Sequence, residues 1–323
     1  MKKETVNIFM SCDDGYVPFM AVALTSIKKN RDESRPYKIT VLYTNIKEEN
    51  RIRTNEFYSE EGFTVDFLDI SNDIKDAFPA LHTRDYYSKS TYYRIFIPRL
   101  FNDIDKALYL DCDIVANTDV ASMYDTPLEN NLLAAIPDAA VQANETFALY
   151  TQERLGIEKS CYVNAGIILM NLSLMRKIDF EGAFLALLDK VKFNVAQDQD
   201  YLNALCYGKI IYLDSEWNVM PTLSAPTGRR PKIVHYNLDN KPWKKDNVPY
   251  ANFFFNHAKD SAFCREVLET SKAKTPEYTK RAEEQTLALI RLAMSEAMDK
   301  KENERIKKEI SLSKGKMLLY EKN

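Results

Sequence analysis

The chain contains few cysteines and little glycine for its length. Five cysteines and eight glycines occur among 323 residues, and no two cysteines form a Cys-x-x-Cys sequence. An odd number of widely spaced cysteines argues against a disulfide framework or a zinc site. We therefore expect buried, reduced thiols at Cys12, Cys112, Cys161, Cys206 and Cys264.

The sequence also lacks a long apolar run and a strong excess of either charge. No apolar run reaches the roughly 18 residues of a membrane span, and the N-terminal stretch is too interrupted for a signal-peptide core. The net charge of −3 argues against a nucleic-acid partner, which would require a basic surface. With 45% hydrophobic and 28% charged residues, the composition is typical of a soluble globular enzyme. We expect a cytoplasmic location.

Strand-like and helix-like stretches alternate along the first half of the chain. Pro18 begins a helical pattern, and residues 47–59 and 90–100 form two more helical stretches. The apolar, strand-like runs are residues 6–10, 38–43, 65–70, 106–110, 132–136, 166–170, 209–213 and 232–234. This alternation predicts an α/β fold with a mostly parallel sheet flanked by helices. Ligands bind at the carboxyl ends of strands in such sheets, so polar residues after these runs are the candidates for chemistry.

The character of the chain changes near residue 260. Residues 272–323 are rich in Lys and Glu, and their apolar residues recur at helical spacing. We predict a catalytic domain over residues 1–260 and a C-terminal helical segment over residues 261–323. Residues 300–323 contain eight basic and four acidic residues. They form either a solvated helical tail or a surface that associates weakly with a partner or with the inner face of an anionic membrane.

Two carboxylates stand directly after the apolar run that ends at Leu110. Asp111 and Asp113 are separated by one residue, so both side chains can turn toward one point. Two unpaired carboxylates in a buried place are costly, and a Mg²⁺ or Mn²⁺ ion removes that cost because both ions prefer oxygen ligands. Such an ion would neutralise a diphosphate leaving group. The alternative is that the two residues cap or brace a loop.

A histidine follows another apolar run more than a hundred residues later. His235 comes directly after Lys232-Ile233-Val234, and an imidazole added to two carboxylates favours Mn²⁺ over Mg²⁺. A hydrogen-bonded structural role is the alternative for His235. His82 and His257 have no such context, and we interpret both as structural.

Six stretches of the chain, taken in order, carry a family resemblance over residues 5–260. They are Met10–Tyr16, Ser90–Arg94, Leu110–Asp113, Tyr162–Gly166, Gln197–Asp200, and His235 with Lys241-Pro242-Trp243. These stretches resemble glycosyltransferase family 8, which includes bacterial galactosyl- and glucosyltransferases of lipopolysaccharide synthesis and the glycogenins. The resemblance implies a GT-A nucleotide-sugar-binding fold and transfer of glucose or galactose from a UDP-sugar with retention of configuration. It also implies a saccharide, glycolipid or glycoprotein acceptor and a role in cell-envelope polysaccharide synthesis.

The same likeness gives each candidate residue a role. The ion, Mn²⁺ with Mg²⁺ as the alternative, would be held by Asp111, Asp113 and His235. The nucleotide diphosphate would be bound by Ser11, Asp13, Tyr16, Cys112 and Lys241. The hexose would be surrounded by Arg94, Asp138, Asn164, Ala165 and Asp198. An acidic group such as Asp13 can accept from the N3–H of uracil, which favours UDP over a purine nucleotide.

Gln199 and Asp198 are the catalytic candidates, and Gln199 would lie on the face of the anomeric carbon opposite the departing phosphate. Because an amide is a poor nucleophile, we favour attack from the front face, with the leaving phosphate taking the acceptor's proton. Gln199 would then support an oxocarbenium-like state. A double displacement through Gln199 is the alternative.

Each of these residues also has a structural interpretation. Asn164–Gly166 could be a turn before a buried strand, and Gln197–Asp200 could be a helix N-terminus. Lys241 could be a solvated charge, and Arg94 could pair with Asp85.

Three places in the chain depart from the family pattern. Gly15 stands where several relatives have Asn, which affects one ribose contact. Leu238 and Asp239 occupy a place where a glycine often lets the backbone approach the diphosphate. Tyr86 stands where some galactosyl enzymes have His. The choice between glucose and galactose therefore stays open, as do the acceptor and the oligomeric state.

Three other functions compete with hexose transfer. A haloacid-dehalogenase-type phosphohydrolase also has Asp-x-Asp after a strand, but it carries Thr where this chain has Val115. A non-catalytic nucleotide-sugar-binding scaffold is the second alternative. A self-glucosylating primer of the glycogenin kind is the third, since 19 tyrosines offer acceptors.

Overall fold

The computed structural model describes residues 4–83, 88–221 and 230–321. The chain forms two compact units. The first comprises Met1–Ile70, Leu108–Thr126 and Asp214–Glu284, and the second comprises Ser71–Ala107, Pro127–Leu213 and Gln285–Asn323.

The secondary structure is as follows. The strands are β1 (Val6–Ser11), β2 (Tyr37–Tyr43), β3 (Phe63–Asp69), β4 (Lys106–Leu110), β5 (Ile114–Ala116), β6 (Leu133–Pro137), β7 (Val163–Asn171), β8 (Ile210–Tyr212) and β9 (Ile233–His235). The α-helices are α1 (Val17–Asn30), α2 (Glu48–Tyr58), α3 (Ile97–Leu100), α4 (Ala121–Tyr124), α5 (Ala139–Ala143), α6 (Glu145–Tyr150), α7 (Leu172–Lys177), α8 (Phe180–Lys190), α9 (Asp198–Cys206), α10 (Ala251–Ala258), α11 (Cys264–Lys272), α12 (Pro276–Met298) and α13 (Lys300–Glu321). A π-helical turn spans Thr151–Leu155, and 3₁₀ helices span Asp14–Tyr16, Lys89–Phe96 and Ser215–Trp217.

The first unit contains the parallel sheet that the sequence predicts. Strands β3, β2, β1 and β4 lie side by side in that order and run parallel. Ile8 pairs with Ile39 on one side and with Leu108 on the other, and all three are fully buried. Helix α1 begins with Pro18 in its first turn, where the missing N–H has no cost, and it buries most of its length. The predicted α/β fold with a mostly parallel sheet flanked by helices is confirmed.

A second, two-stranded sheet in the first unit brings two distant segments together. Strands β5 and β9 pair antiparallel, with Ile114 opposite His235. The histidine that the sequence placed after an apolar run is therefore the last residue of a strand. An aromatic cluster supports this sheet, since the Trp243 ring stacks on Phe19 at 4.1 Å between centroids and packs against Phe254 at 4.8 Å. Stacked rings of this kind contribute buried area and a further ~1 kcal/mol each.

The second unit contains strands β7, β6 and β8 in that order, with β6 antiparallel to β7 and parallel to β8. Helix α9 is held to β7 by a side-chain amide. The Oδ1 atom of Asn203 accepts from the N–H of Val163, and its Nδ2 donates to the C=O of the same residue, both at 2.8 Å. These two hydrogen bonds satisfy the N–H and the C=O of Val163. They also fix Gln199, which lies one turn earlier on α9, against the strand.

The predicted helix over residues 90–100 is a 3₁₀ helix followed by one α-helical turn. The segment is too short for its apolar spacing to distinguish three residues per turn from 3.6. The side chain of Ser88 caps it by accepting from the N–H of Ser90.

The C-terminal residues are helical, as their composition predicts. The buried side chains of α12 among the described residues are those of Ala282, Ala293 and Ala297. Helix α13 buries a stripe that includes Ile306, Ile310 and Met317, while most of its charged side chains stay accessible. A domain boundary at residue 260 stays a prediction.

All five cysteines are free thiols. Cys12, Cys112 and Cys206 are buried as expected, whereas Cys161 and Cys264 are partly exposed. Within the described parts of the chain, we find no helix with the length and apolar character that crossing a membrane requires.

Candidate functional site

Two carboxylates and an imidazole converge in the first unit. Ligand atoms of Asp111, Asp113 and His235 all lie within 4.8 Å of one another. The Nε2 atom of His235 lies 3.2 Å from Oδ1 of Asp113 and 3.7 Å from Oδ2 of Asp111. Asp113 and His235 are buried and Asp111 is partly exposed, so the cluster is open to solvent on the Asp111 side.

The strand pairing explains why these side chains meet. Strand β4 ends at Leu110, and Asp111 and Asp113 occupy the short connection to β5. The antiparallel pairing of β5 with β9 brings His235 alongside, and the N–H of Tyr236 donates to the C=O of Asp113 at 2.8 Å. Residues more than a hundred positions apart in the sequence thus have their relative positions fixed by backbone hydrogen bonds.

A buried amide fixes the ring of His235. The Nδ1 atom of His235 lies 3.1 Å from Oδ1 of Asn218, which is 3% exposed. Because that amide oxygen can only accept, Nδ1 carries the proton in the neutral ring, and Nε2 presents its lone pair to the two carboxylates. A hydrogen-bond acceptor at the second ring nitrogen is common at histidines that bind metal ions.

Lys241 is the cation nearest to Asp113. Its Nζ donates to Oδ2 of Asp113 and to the C=O of Tyr236. Burial raises the pKa of Asp113, but the positive charge of Lys241 opposes that effect, and the pKa of the carboxyl lies well below its usual range. Asp113 is therefore ionised throughout the neutral range.

The donor set fits a divalent cation. The Oδ1 atom of Asp113 is buried and accepts no hydrogen bond from the described residues. With Nε2 unprotonated, this oxygen and the imidazole nitrogen turn lone pairs toward each other across 3.2 Å, a contact that a cation would make favourable. Two carboxylates and one imidazole suit Mn²⁺, and Mg²⁺ is compatible with the oxygens.

Four predicted nucleotide-binding residues lie beside this cluster. Cys112 stands between the two aspartates, and its thiol donates to the C=O of Ser11 at 3.3 Å. The hydroxyl of Ser11 is hydrogen-bonded to that of Tyr109 at 2.6 Å. The Nζ atom of Lys241 lies 5.9 Å from the centre of the Tyr16 ring. A hydrogen bond with Cys12 and burial raise the pKa of the Cys112 thiol, so it stays neutral.

Two other positions in the first unit bear on the nucleotide-binding prediction. Asp13 precedes the 3₁₀ helix that leads into α1, and its side chain is partly exposed. Leu238 has φ +51°, a left-handed conformation that favours glycine. A leucine in this conformation carries backbone strain that a glycine would avoid.

The second unit holds a separate network centred on Gln199. The Oε1 atom of Gln199 accepts from the N–H of Ala165 at 3.0 Å and from Nδ2 of Asn164 at 3.2 Å. Its Nε2 donates to Oδ2 of Asp138 at 3.1 Å. Nδ2 of Asn164 also donates to that Asp138 oxygen at 3.0 Å. Asn164 and Ala165 lie within β7 itself, so the interpretation of this stretch as a turn before the strand is wrong.

Arg94 is the cation of the second unit's network. Its guanidinium donates to the C=O of Ala165, and its Nε lies 3.2 Å from Oδ2 of Asp198. Both side chains are almost completely buried, so the pair is fixed rather than solvated. Asp85, the alternative partner for Arg94, lies outside the described residues, as does Tyr86.

Helix α9 begins at Asp198, and both catalytic candidates lie in its first turn. The interpretation of this stretch as a helix N-terminus is therefore confirmed, and it is compatible with a catalytic role because the dipole there favours Asp198 as an anion. The preceding residue, Gln197, has φ +49° and is 4% exposed. Such backbone strain in a non-glycine residue costs about 1–3 kcal/mol and concentrates at functional sites.

Four residues of these networks had no role in the sequence analysis, namely Asp200, Tyr162, Tyr150 and Asn218. Asp200 accepts from the hydroxyls of Tyr162 at 2.7 Å and Tyr150 at 2.8 Å. Tyr162 in turn accepts from Nε2 of Gln199 at 3.3 Å. Tyr162 and Asp200 stand inside stretches that carry the family resemblance, which was the available signal. Asn218 follows no apolar run, and nothing in the sequence indicated it.

The predicted site residues therefore fall into two groups, one in each unit. The first unit brings together the three metal-ligand candidates with Lys241, Cys112, Ser11 and Tyr16. The second brings together Gln199, Asp198, Asp138, Asn164, Ala165 and Arg94. The part each residue plays in binding or catalysis stays a prediction.

Comparisons with known proteins identify the family. The sequence profile of Glycosyl transferase family 8 matches residues 7–247. A protein of Haemophilus influenzae that is named as a glycosyltransferase is 31% identical over 255 residues, which are 75% of this chain and 74% of that protein. The lipopolysaccharide 1,2-glucosyltransferase of Escherichia coli is 24% identical over 267 residues, again 75% of this chain and 74% of the relative.

A solved structure agrees with the sequence matches. The crystal structure of an active-site mutant of LgtC superimposes with a TM-score of 0.68 and 26% identity, covering 79% of this chain and 96% of LgtC. The fold is that of the GT-A glycosyltransferases, as predicted. The match over most of the chain, together with the carboxylate–histidine cluster and the Gln199 network, shows that the protein belongs to glycosyltransferase family 8.

Proposed function

We propose that the protein is a Mn²⁺-dependent retaining hexosyltransferase that takes glucose or galactose from a UDP-sugar. The observation that carries the proposal is the convergence of Asp111, Asp113 and His235 within 4.8 Å. A glycosyltransferase of this family that uses a nucleotide diphosphate must stabilise a highly charged leaving group, and this cluster is suited to do so through a divalent ion.

In the proposed enzyme, Asp111, Asp113 and His235 hold the ion, with Asn218 orienting the imidazole. When bound, the ion would supply positive charge to the diphosphate. Lys241 contributes a second positive charge as a compact ammonium group. Its present contacts with Asp113 and the C=O of Tyr236 keep it at the cluster.

The remaining candidates of the first unit bind the nucleotide. Asp13 accepts from the N3–H of uracil, and Ser11 and Tyr16 bind the base and ribose. Cys112 and Ser11 line the same place through their mutual hydrogen bond. Uracil offers its N3–H to a carboxylate, whereas adenine has no ring N–H on its pairing edge, which supports UDP over ADP.

The second unit recognises the hexose. Arg94, Asp138, Asn164, Ala165 and Asp198 present fixed donors and acceptors, and sugar hydroxyls need both. Gln199 lies among them with its carbonyl oxygen already accepting two hydrogen bonds, from Ala165 and Asn164. An oxygen with both lone pairs engaged is a poor nucleophile, which supports front-face attack over double displacement.

In front-face attack, the bond between the anomeric carbon and the phosphate oxygen breaks first. The acceptor hydroxyl oxygen bonds to the same face, and its proton passes to the departing phosphate oxygen. The partial negative charge of the Gln199 carbonyl stabilises the positive anomeric carbon from the opposite face. The configuration is therefore retained without a covalent enzyme intermediate.

For the acceptor, we propose a saccharide or glycolipid of the cell envelope. The E. coli relative is named for its action on lipopolysaccharide, which is the support for this part of the proposal. We place the protein in the cytoplasm, with α13 as the element that would approach the inner face of the membrane. Lys300, Lys301 and Lys308 on that helix are exposed and would be attracted to anionic lipids.

The test uses the purified chain with Mn²⁺ and UDP-glucose or UDP-galactose, with water as the acceptor. We expect slow release of UDP from one donor, and ¹H NMR at early times should show the α-anomer of the free hexose. Release of the β-anomer would contradict retention. Binding of UDP-sugar without any turnover would instead favour a scaffold, and hexose additions to the chain in mass spectrometry would favour a self-glucosylating primer.

A further inference from the structure

The side-chain amide of Gln199 has only one orientation that its neighbours accept. The N–H of Ala165 can only donate, so the atom 3.0 Å from it is the amide oxygen. A carboxylate can only accept, so the atom of Gln199 that lies 3.1 Å from Oδ2 of Asp138 is the amide nitrogen. A flipped amide would face two donors toward each other at Ala165 and two acceptors toward each other at Asp138, and each buried mismatch is costly.

Tyr162 is the neighbour of Gln199 whose role as hydrogen-bond donor or acceptor is not fixed by its own chemistry. A tyrosine hydroxyl can donate or accept, so by itself it would tolerate either orientation of Gln199. Here its proton is directed to Oδ1 of Asp200 at 2.7 Å. Only a lone pair is left for Gln199, and the hydroxyl accepts from Nε2 at 3.3 Å. Burial and the nearby Asp200 raise the pKa of Tyr162 well above its usual value, so the hydroxyl keeps its proton.

We propose that Tyr162 is a positioning residue: with its proton committed to Asp200, it adds to the contacts of Ala165 and Asp138 a third hydrogen bond that holds the carbonyl oxygen of Gln199 in the orientation that hexose transfer requires. This proposal rests on the proposed function, in which that carbonyl faces a positive anomeric carbon. Turning the amide would present its NH₂ group to the same carbon and destabilise the transition state. Tyr162 itself does not touch the reacting atoms.

Tyr150 provides a matched control within the same network. Its hydroxyl donates to Oδ2 of Asp200 at 2.8 Å, and its side chain is 1% exposed, as is that of Tyr162. Among the contacts of the described residues, Tyr162 bonds to Gln199 and Tyr150 does not. Replacing either tyrosine by phenylalanine removes one hydrogen bond to Asp200, but only Tyr162→Phe also removes the contact with Gln199.

The first experiment compares Tyr162→Phe and Tyr150→Phe by thermal unfolding and by steady-state turnover of UDP-hexose with Mn²⁺. We expect both variants to unfold at a lower temperature than the wild type, Tyr162→Phe more so because it also loses the hydrogen bond with Gln199. Tyr162→Phe should lower kcat about tenfold, the weight of one hydrogen bond, with an unchanged donor KM, whereas Tyr150→Phe should keep kcat within about twofold. Equal kcat values for the two variants would overturn the proposal, since a purely structural role affects both alike.

The second experiment observes the side-chain amide of Gln199 directly and does not depend on enzymatic activity. In ¹H–¹⁵N spectra, the side-chain amide signals of Gln199, assigned with Gln199→Ala, should shift or broaden in Tyr162→Phe and stay unchanged in Tyr150→Phe. Signals that respond equally in both variants, or in neither, would overturn the proposal. If the wild type turns over no UDP-hexose, the proposed function fails while this comparison still decides the orientation.

A further variant covers the case in which Tyr162→Phe does not fold. Asp200→Asn keeps both rings. The N–H of Ala196 donates to Oδ2 of Asp200 at 3.0 Å, so the amide oxygen of the variant would take that position and its NH₂ group would face Tyr162, whose hydroxyl could then donate to a flipped Gln199. We expect the same response of the Gln199 amide signals and of kcat. Unchanged signals and unchanged kcat in a folded Asp200→Asn would overturn the proposal.

Discussion

The contact between His235 and Asn218 makes a specific prediction about metal affinity. In Asn218→Leu, the Nδ1–H of His235 loses its acceptor in a buried place, since Asn218 is 3% exposed and His235 is 2% exposed. The imidazole would then be free to turn, or to carry its proton on Nε2, where it blocks coordination. Removing an outer-shell partner of a metal ligand typically costs 10–100-fold in affinity.

We expect about a tenfold weaker Mn²⁺ affinity for Asn218→Leu, at the low end of that range, because the lost acceptor is a neutral amide at 3.1 Å rather than a carboxylate. The assay is the electron paramagnetic resonance signal of free Mn²⁺ during titration of the protein. Asn218→Asp, which keeps the oxygen, is the control and should bind at least as tightly as the wild type. Wild-type affinity in Asn218→Leu would refute the reasoning about the imidazole.

Three further predictions follow from the structure. Burial raises the pKa of Asp200 to about 6 in the folded protein. The folded chain therefore binds this proton more tightly than the unfolded chain does, and protonation of Asp200 stabilises the fold. The free energy of unfolding of the wild type relative to Asp200→Asn should therefore fall by up to about 3 kcal/mol between pH 4 and pH 7, and a pH-independent difference in urea titrations would contradict this. Trp243→Ala should cost about 3–5 kcal/mol in urea titrations, against less than about 0.5 for the exposed Leu287→Ala; equal costs would be inconsistent with the aromatic core. Gln199→Ala should lower kcat at least tenfold while UDP affinity, measured by calorimetry, stays within about twofold, since Gln199 is not a nucleotide ligand.

The central strands could be predicted because long apolar runs are typical of buried strands. Strands β1, β2 and β4 lie within a residue of the predicted runs, and the carboxylates that follow β4 are at the metal-ligand cluster. The position of a polar residue directly after a buried strand is a local feature of the sequence. Local features therefore located Asp111 and Asp113.

The hydrogen-bond partners of the buried polar side chains could not be predicted, because they depend on tertiary contacts. Arg94 is bonded to the C=O of Ala165, 71 positions away, and no spacing rule indicates such a contact. The role of Tyr162 depends equally on Asp200, which decides whether its hydroxyl donates or accepts. For the same reason Asn218 gave no signal: its importance comes from the backbone hydrogen bond between His235 and Val219, which places the imidazole beside Asn218.

The central claim is that Asp113 is essential for metal-dependent turnover of a UDP-hexose. The most direct test measures UDP release from UDP-glucose and UDP-galactose, with and without Mn²⁺, for the wild type, Asp113→Ala and the control Asp66→Ala, an exposed carboxylate of the same unit. We predict Mn²⁺-dependent release by the wild type and Asp66→Ala that is lost in Asp113→Ala. Release that persists in Asp113→Ala, or a wild type that neither turns over a UDP-hexose nor binds UDP with Mn²⁺, would contradict the account.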